Sequence, residues 1–174
     1  IKHADMYGIK VENVSVDFKK NIQRSRDISN RLSKGIEFLM KKNKITHITG
    51  IGKLTSKTSL KVKNKQKTDT IEADKIILAT GARPKSFPGM EFDGNRVISF
   101  KEAMILDSPP KKMIIIGSGA IGSEFAYYYN EFGTEVHMIE MLDRILPIED
   151  ADVSKEVEKS FKKSNIKISK GTKV

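Results

Sequence analysis

The sequence contains no cysteine among its 174 residues. This absence excludes a disulfide framework, a thiolate metal site and a cysteine nucleophile from the chain itself. Tryptophan is also absent, and aromatic residues make up 7% of the chain. Apolar runs are short, as at 113–116, and none approaches the roughly 18 to 20 residues that a helix needs to cross a bilayer. We therefore predict no membrane partner.

Acidic residues are outnumbered, with 22 Asp and Glu against 32 Lys and Arg, so the formal net charge is +10. Such a charge can attract nucleic acid. The lysines are nevertheless scattered, with a small cluster at Lys61, Lys63, Lys65 and Lys67. Nucleic-acid modules more often combine a basic face with stacking aromatic side chains and arginine. The composition therefore predicts no nucleic-acid partner.

Hydrophobic periodicity divides the first half of the chain into one helix and several strands. Apolar residues recur at helical spacing over Phe18–Lys42, and Asp17 can cap that helix. The strands that follow are predicted at 45–49, at 53–63 and 68–72 as a polar hairpin, and at 75–79. After Lys75 the last of these is apolar throughout, as in strands buried on both faces of a parallel sheet.

The second half alternates strands and helices. Residues 82–110 hold four of the five prolines and predict an extended connector. The elements predicted after it are a strand at 113–116, a helix at 120–132, a strand at 135–140, an amphipathic helix at 152–163 and a strand-like end at 167–174. This order is typical of an α/β domain with a parallel sheet.

A glycine motif lies between the first strand and helix of this half. Gly117-x-Gly119-x-x-Gly122 follows an apolar strand and opens a helix, which is the context that a dinucleotide-binding turn requires. The first glycine allows the tight turn, the second lets a pyrophosphate approach the backbone, and the third lets helix and strand pack closely. A glycine turn with no ligand is the structural alternative.

An acidic residue ends the next strand. Glu140 lies 23 residues after Gly117, where a carboxylate can accept hydrogen bonds from the ribose of adenosine and would repel a 2′-phosphate. Met141 and Leu142 follow in place of an arginine cluster. The sequence therefore favours NAD over NADP.

Three stretches resemble the flavoprotein disulfide reductases, which are pyridine nucleotide-disulfide oxidoreductases, and among them most closely the dihydrolipoamide dehydrogenases. They are IIIGSGAIGSEFA followed by EMLDRILPIEDADVS, ILATGARPKSFPG, and HITGIGKLTSK. The resemblance implies an α/β chain in which part of an FAD-binding domain (1–81: helix, β-meander and parallel strand) precedes a connector (82–110) and a partial Rossmann-like NAD-binding domain (111–174).

The resemblance also implies which residues border the cofactors. Those matched to FAD are Gly52, Ala79, Thr80 and Gly81. Those matched to the NAD pyrophosphate turn are Gly117, Ser118, Gly119, Ala120, Ile121, Gly122, Ser123 and Glu124, with Glu140 matched to the ribose and Val174 to the adenosine. Glu124 can also be read as a solvated helix residue, and Val174 as a plain strand valine.

The implied activity is the oxidation of dihydrolipoamide by NAD+ through FAD. The implied partners are the lipoyl domain of a 2-oxoacid dehydrogenase or glycine cleavage complex and a second copy of the full-length chain. The implied compartment is the cytoplasm, or the mitochondrial matrix in a eukaryote.

The sequence departs from this family in what it lacks. It has neither the FAD glycine motif, nor the Cys-x4-Cys pair, nor the His–Glu dyad, and His3, His47 and His137 match no catalytic position. We therefore predict an internal fragment with no catalytic residue. The alternatives are an NADH oxidase, a mercuric or ferredoxin reductase, and a non-catalytic NAD(H)-binding module.

Overall fold

A computed structural model describes residues 4–174, so His3 lies outside the described part of the chain. Two compact units are present. One combines the described part of Ile1–Arg24 with Ser86–Val174, and the other is Ser25–Lys85. The cofactor-domain boundaries predicted after residues 81 and 110 remain a prediction, and each unit is described by itself below.

The long first helix has the bounds that its periodicity predicted. A short 3-10 helix at Ala4–Tyr7 precedes it, and α1 spans Phe18–Lys42. The carboxylate of Asp17 accepts a hydrogen bond from the Lys20 amide at 2.9 Å, which satisfies one donor of the first turn. Lys41 and Lys42 end the helix, where positive charge is favoured by the helix dipole.

An antiparallel three-stranded sheet belongs to the unit Ser25–Lys85. Its strands are β1 (Ile51–Leu54), β2 (Ser59–Lys63) and β3 (Thr68–Glu72), in that order. The predicted polar hairpin is confirmed, but its first arm is two strands. Asn64 fixes the turn between β2 and β3, because its side-chain oxygen accepts hydrogen bonds from two amides further along the turn.

Two predicted strands are wrong. Residues 45–49 and 75–79 have no strand structure, and Ile77 is 90% exposed. A strand forms when its backbone groups find partners on a neighbouring strand, and no strand in the described range 4–174 pairs with either segment. The apolar residues of these segments favour a strand, but strand pairing depends on other segments and is not a local property.

A parallel βαβ arrangement belongs to the other unit and confirms the α/β prediction. The order of its strands in the sheet is β4-β5-β6. The elements are β4 (Lys112–Ile116), α3 (Ala120–Glu131), β5 (Glu135–Ile139), α4 (Ala151–Lys163) and β6 (Lys167–Ser169). The last strand is shorter than the predicted 167–174.

The core of this unit lies between α3 and the sheet. Ala126 and Tyr129 on one face of α3 pack in the same buried cluster as Val136 and Met138 of β5, and all four are at most 1% exposed. Val136 and Met138 face α3 together because residues two apart in a strand point to the same face of the sheet. Helix α3 is thereby fixed against β5.

An aromatic cluster extends the core to the start of α1. The ring of Phe18 lies 5.0 Å from that of Phe132 in an edge-to-face arrangement. Tyr128 lies near both of these rings, and Tyr129 lies near Phe18 and Tyr128. The Tyr128 hydroxyl and the Asn21 side-chain oxygen are 2.9 Å apart in a hydrogen bond. These contacts attach the first turns of α1 to α3.

The predicted connector 82–110 contains one short helix, α2 (Phe100–Ala103). A capping box stabilises its N-terminus. The Ser99 side chain accepts a hydrogen bond from the Lys101 amide, and the Glu102 carboxylate accepts one from the Ser99 amide at 2.8 Å. Hydrogen bonds from the Ser99 side chain and amide hold the pKa of Glu102 below its usual value. Sequence composition marked the segment as extended and missed this cap.

Within the described residues, no helix combines the length and the apolar character that crossing a membrane would require.

The hydroxyl of Tyr129 provides a test of the core. It is fully buried, donates to the Ala103 carbonyl, and has a pKa raised to about 12, chiefly by burial and secondarily by Tyr128. Replacing Tyr129 with Phe leaves that carbonyl without this donor, so we expect the free energy of unfolding to fall by about 1–3 kcal/mol. Denaturant titration measures this. Tyr127→Phe is the matched control, because Tyr127 is 54% exposed; an equal loss in both variants would contradict the role given to Tyr129.

Candidate functional site

Two of the three motif glycines are required by the fold itself. Gly117 has φ +96°, in the left-handed region that favours glycine, and its amide donates to the Ile139 carbonyl at 2.9 Å. At Gly122, a Cβ would lie 2.2 Å from the Gly117 carbonyl oxygen, which is too close for any side chain. The turn after β4 and the first turn of α3 therefore approach each other as closely as backbones can.

The middle glycine is different, because the protein does not require it. Gly119 has φ −65° and ψ −178°, an extended conformation open to any residue, and no heavy atom lies within 4 Å of the Cβ that it lacks. Gly119 is also exposed. Its backbone therefore faces open space that a ligand can approach closely.

The N-terminus of α3 adds hydrogen-bond donors to this space. Gly119 is the N-cap residue and offers no side-chain cap, and Ala120 and Ile121 in the first turn are exposed. The first amides of a helix have no partner within the helix, and they coincide with the positive end of its dipole. The turn therefore has the chemistry of an anion-binding site.

Glu140 lies beside the turn, at the end of β5. Its side chain points into the structure, with the residue 7% exposed. One carboxylate oxygen, Oε2, accepts from the Ser118 amide at 2.9 Å and from the Ser118 hydroxyl at 2.6 Å. The other, Oε1, accepts from the Leu142 amide at 2.9 Å. The acid predicted from spacing alone is thus in direct contact with the glycine turn.

These contacts keep Glu140 ionised. Burial has the largest single effect and raises the pKa of its carboxyl, but hydrogen bonds from the Ser118 side chain and from the Leu142, Ser118 and Met141 amides together outweigh burial. The net result is a pKa below the usual value. Hydrogen bonds to the charged form stabilise it, which is the physical cause of this shift.

Sequence reasoning missed the loop that supports the turn. Ser118 is fully buried, and its carbonyl accepts from the Leu146 amide at 2.9 Å and from the Ser123 hydroxyl at 3.1 Å. Ile145 is fully buried in the same loop. The available signal was the apolar pair Ile145 and Leu146 inside an apparent loop, since both side chains are buried.

The predicted NAD-side residues are thus brought together in part. Among them, Gly117, Ser118, Gly122, Ser123 and Glu140 form one hydrogen-bonded or closely packed group, as described above. The other predicted residues of the turn and the first turns of α3 are exposed, namely Gly119, Ala120, Ile121 and Glu124. Val174 is 55% exposed, and the Thr172 amide, two residues earlier, donates to the Glu140 carbonyl at 2.9 Å.

The predicted FAD-side residues lie in the other unit, Ser25–Lys85. Gly52 is in β1 opposite Val62, and a Cβ there would lie 3.3 Å from the Leu60 side chain. Residues 79–81 have an exposed backbone with no regular secondary structure. Their roles toward FAD remain predictions.

His137, which matches no catalytic position of the family, lies in β5. The His137 ring nitrogen Nε2 lies 2.9 Å from the Ser169 hydroxyl oxygen, which links β5 to β6. Across residues 4–174, no group of three or more His, Cys, Asp or Glu side chains is arranged to hold a metal ion.

Known proteins resemble the whole of this chain. The model of the family described as pyridine nucleotide-disulphide oxidoreductase matches residues 6–174. Dihydrolipoyl dehydrogenase from Chlorobaculum parvum is 39% identical over 99% of this chain and 37% of its own length. Dihydrolipoyl dehydrogenase from Zymomonas mobilis is 41% identical over 97% of this chain and 36% of its own length.

The fold gives the same result. The crystal structure of LpdA from Mycobacterium tuberculosis superposes with a TM-score of 0.87 at 28% identity, covering 98% of this chain and 38% of that protein. This chain therefore spans somewhat more than a third of the length of the relatives that it matches. The resemblance predicted from the sequence motifs is confirmed, and the chain belongs to the pyridine nucleotide-disulphide oxidoreductase family.

Proposed function

We propose that this chain is the NAD-binding part, with a portion of the FAD site, of an enzyme that oxidises dihydrolipoamide with NAD+. Two features of one turn carry the proposal. Gly119 faces open space, although the fold does not require a glycine there, and the ionised Glu140 contacts the same turn. A dinucleotide offers a diphosphate for the first and a ribose diol for the second. Relatives named dihydrolipoyl dehydrogenase support the choice of substrate.

The residues of the turn fit NAD in charge and in space. The uncapped amides of α3 would receive the pyrophosphate, and the missing side chain at Gly119 would let it approach. Glu140 would accept a ribose hydroxyl and would repel the 2′-phosphate of NADP. The residues proposed for FAD are Gly52 and the exposed backbone of 79–81.

The bound cofactors would supply the redox chemistry, in which dihydrolipoamide loses two electrons and two protons and NAD+ gains a hydride while one proton is released. This chain contributes binding and orientation, and it contains no cysteine to form the dithiol that exchanges with lipoamide. The redox-active cysteine pair of the enzyme must therefore lie outside these 174 residues. A lipoyl domain and a second copy of the full-length enzyme are the proposed partners.

Gly119→Ala tests the pyrophosphate role. The added methyl group meets no protein atom, so we expect an unchanged melting temperature. It would occupy the space proposed for the diphosphate and weaken NADH binding about tenfold or more, which is about 1.4 kcal/mol. Calorimetric titration and thermal unfolding provide the two measurements.

Gly122→Ala is the matched comparison for that experiment. Its methyl group would overlap the Gly117 carbonyl, so we expect a loss of about 1–3 kcal/mol in the free energy of unfolding. A Gly119→Ala variant that binds NADH as tightly as the wild type would contradict the proposed function.

Glu140→Arg tests the ribose role. Reversing the charge at the end of β5 removes the acceptor for the ribose hydroxyl and attracts a 2′-phosphate, so NADH affinity should fall and NADPH affinity should rise. Glu140→Gln, which keeps the shape and removes the charge, should lower NADH affinity less and relax the exclusion of NADPH. Fluorescence titration with each nucleotide measures both, and unchanged affinities in both variants would remove Glu140 from the site.

The pH dependence of stability tests the ionised state of Glu140. Its pKa in the fold is below the ordinary 4.5, so its contribution to stability is present above that pH and is lost as pH falls through the folded value. Wild-type stability should therefore decrease more steeply on acidification than that of Glu140→Gln. Denaturant titrations at a series of pH values give the two slopes, and equal slopes would show that the carboxylate contributes no such linkage.

The substrate needs its own assay. The chain, expressed with the coding sequence that flanks it, should reduce NAD+ when supplied with dihydrolipoamide. NADH-dependent reduction of a different disulfide, with no turnover of dihydrolipoamide, would assign the protein to another branch of the family.

A further inference from the structure

Ser118 occupies the first variable position of the glycine motif, yet it has no exposed surface. A side chain that a ligand cannot touch can still act through a neighbour. We propose, resting on the function proposed above, that Ser118 is a positioning residue that fixes the carboxylate of Glu140 and thereby sets the preference for NADH over NADPH.

Both hydrogen-bond donors of Ser118 converge on one atom. The amide and the hydroxyl donate to Glu140 Oε2 at 2.9 and 2.6 Å. A carboxylate oxygen has about two acceptor positions, so Ser118 fills those of Oε2. The ribose hydroxyl is therefore received at Oε1, the oxygen that accepts from Leu142. The hydroxyl of Ser118 thus decides which edge of the carboxylate faces the ligand.

This orientation has a consequence for specificity. A carboxylate free to rotate can turn away from a 2′-phosphate and reduce the repulsion that excludes NADPH. A carboxylate held by two short charge-assisted hydrogen bonds cannot do so without breaking one of them. Ser118 therefore contributes to the rejection of NADPH more than to the affinity for NADH.

The main-chain contacts of Ser118 are separate from this role. Its carbonyl holds Leu146 and Ser123, and its amide holds Glu140, all without the side chain. Ser118→Ala leaves these groups in place and removes the hydroxyl alone. The substitution therefore isolates the hydrogen bond on which the proposal rests.

The experiment measures dissociation constants of the full 174-residue chain for NADH and for NADPH, in wild type and in Ser118→Ala. We expect the ratio of NADPH to NADH dissociation constants to fall about three- to tenfold, the range that corresponds to losing one hydrogen bond. Ser118→Cys, which keeps the side-chain size and donates weakly, should give an intermediate ratio. It also serves if the alanine variant does not fold.

Ser154→Ala is the matched control. Ser154 is also a buried hydroxyl of the same unit, 2% exposed, and it donates to the Leu146 and Asp150 carbonyls but not to Glu140. It should lose stability in thermal unfolding while keeping the wild-type ratio. A ratio that falls equally in both variants, or in neither, would overturn the positioning role.

Failure of this inference differs from failure of the proposed function. If Glu140→Gln changes the ratio and Ser118→Ala does not, the positioning role is wrong and the ribose site stands. If Glu140→Gln also leaves the ratio unchanged, or the wild-type chain binds neither nucleotide, the proposed function is wrong.

Discussion

The site depends on the close approach of two segments, the turn that follows β4 and the end of β5. Two hydrogen bonds from Ser118 to the Glu140 carboxylate hold these segments together. They form because parallel pairing of the two strands brings both carboxyl ends to one edge of the sheet. The close approach of α3 to β4 at Gly122 then sets the helix N-terminus beside the same carboxylate.

Charge and burial are balanced at this edge. A nearly buried carboxylate is costly unless its charge is met by donors, and three protein donors meet that of Glu140. The N-terminus of α3, by contrast, is left without a side-chain cap. The protein itself therefore satisfies the carboxylate, while no side chain caps the helix N-terminus. This asymmetry is consistent with the anion site proposed beside Glu140.

The two units differ in how well their sequence patterns predicted them. In the βαβ unit, the predicted apolar segments pack against one another, and two strands and two helices lie within one residue of their predicted bounds. The exception is the last strand, which ends at Ser169 instead of the predicted residue 174. In the unit Ser25–Lys85 the helix and hairpin are present, whereas 45–49 and 75–79 are unpaired. The exposed Ile77 and Leu78 show that apolar composition specifies a buried strand only where other strands surround it.

The sequence by itself determined the local features: the helix periods, the hairpin, the glycine turn and an acid 23 residues beyond Gly117. Each follows from backbone sterics or side-chain spacing, which act over a few residues. The tertiary structure alone decided that Ser118 is buried, that both its donors reach Glu140 Oε2, and that the loop of Ile145 and Leu146 supports the turn. These contacts join residues 22 to 28 positions apart, and which groups meet across such distances depends on how strands pair and helices pack.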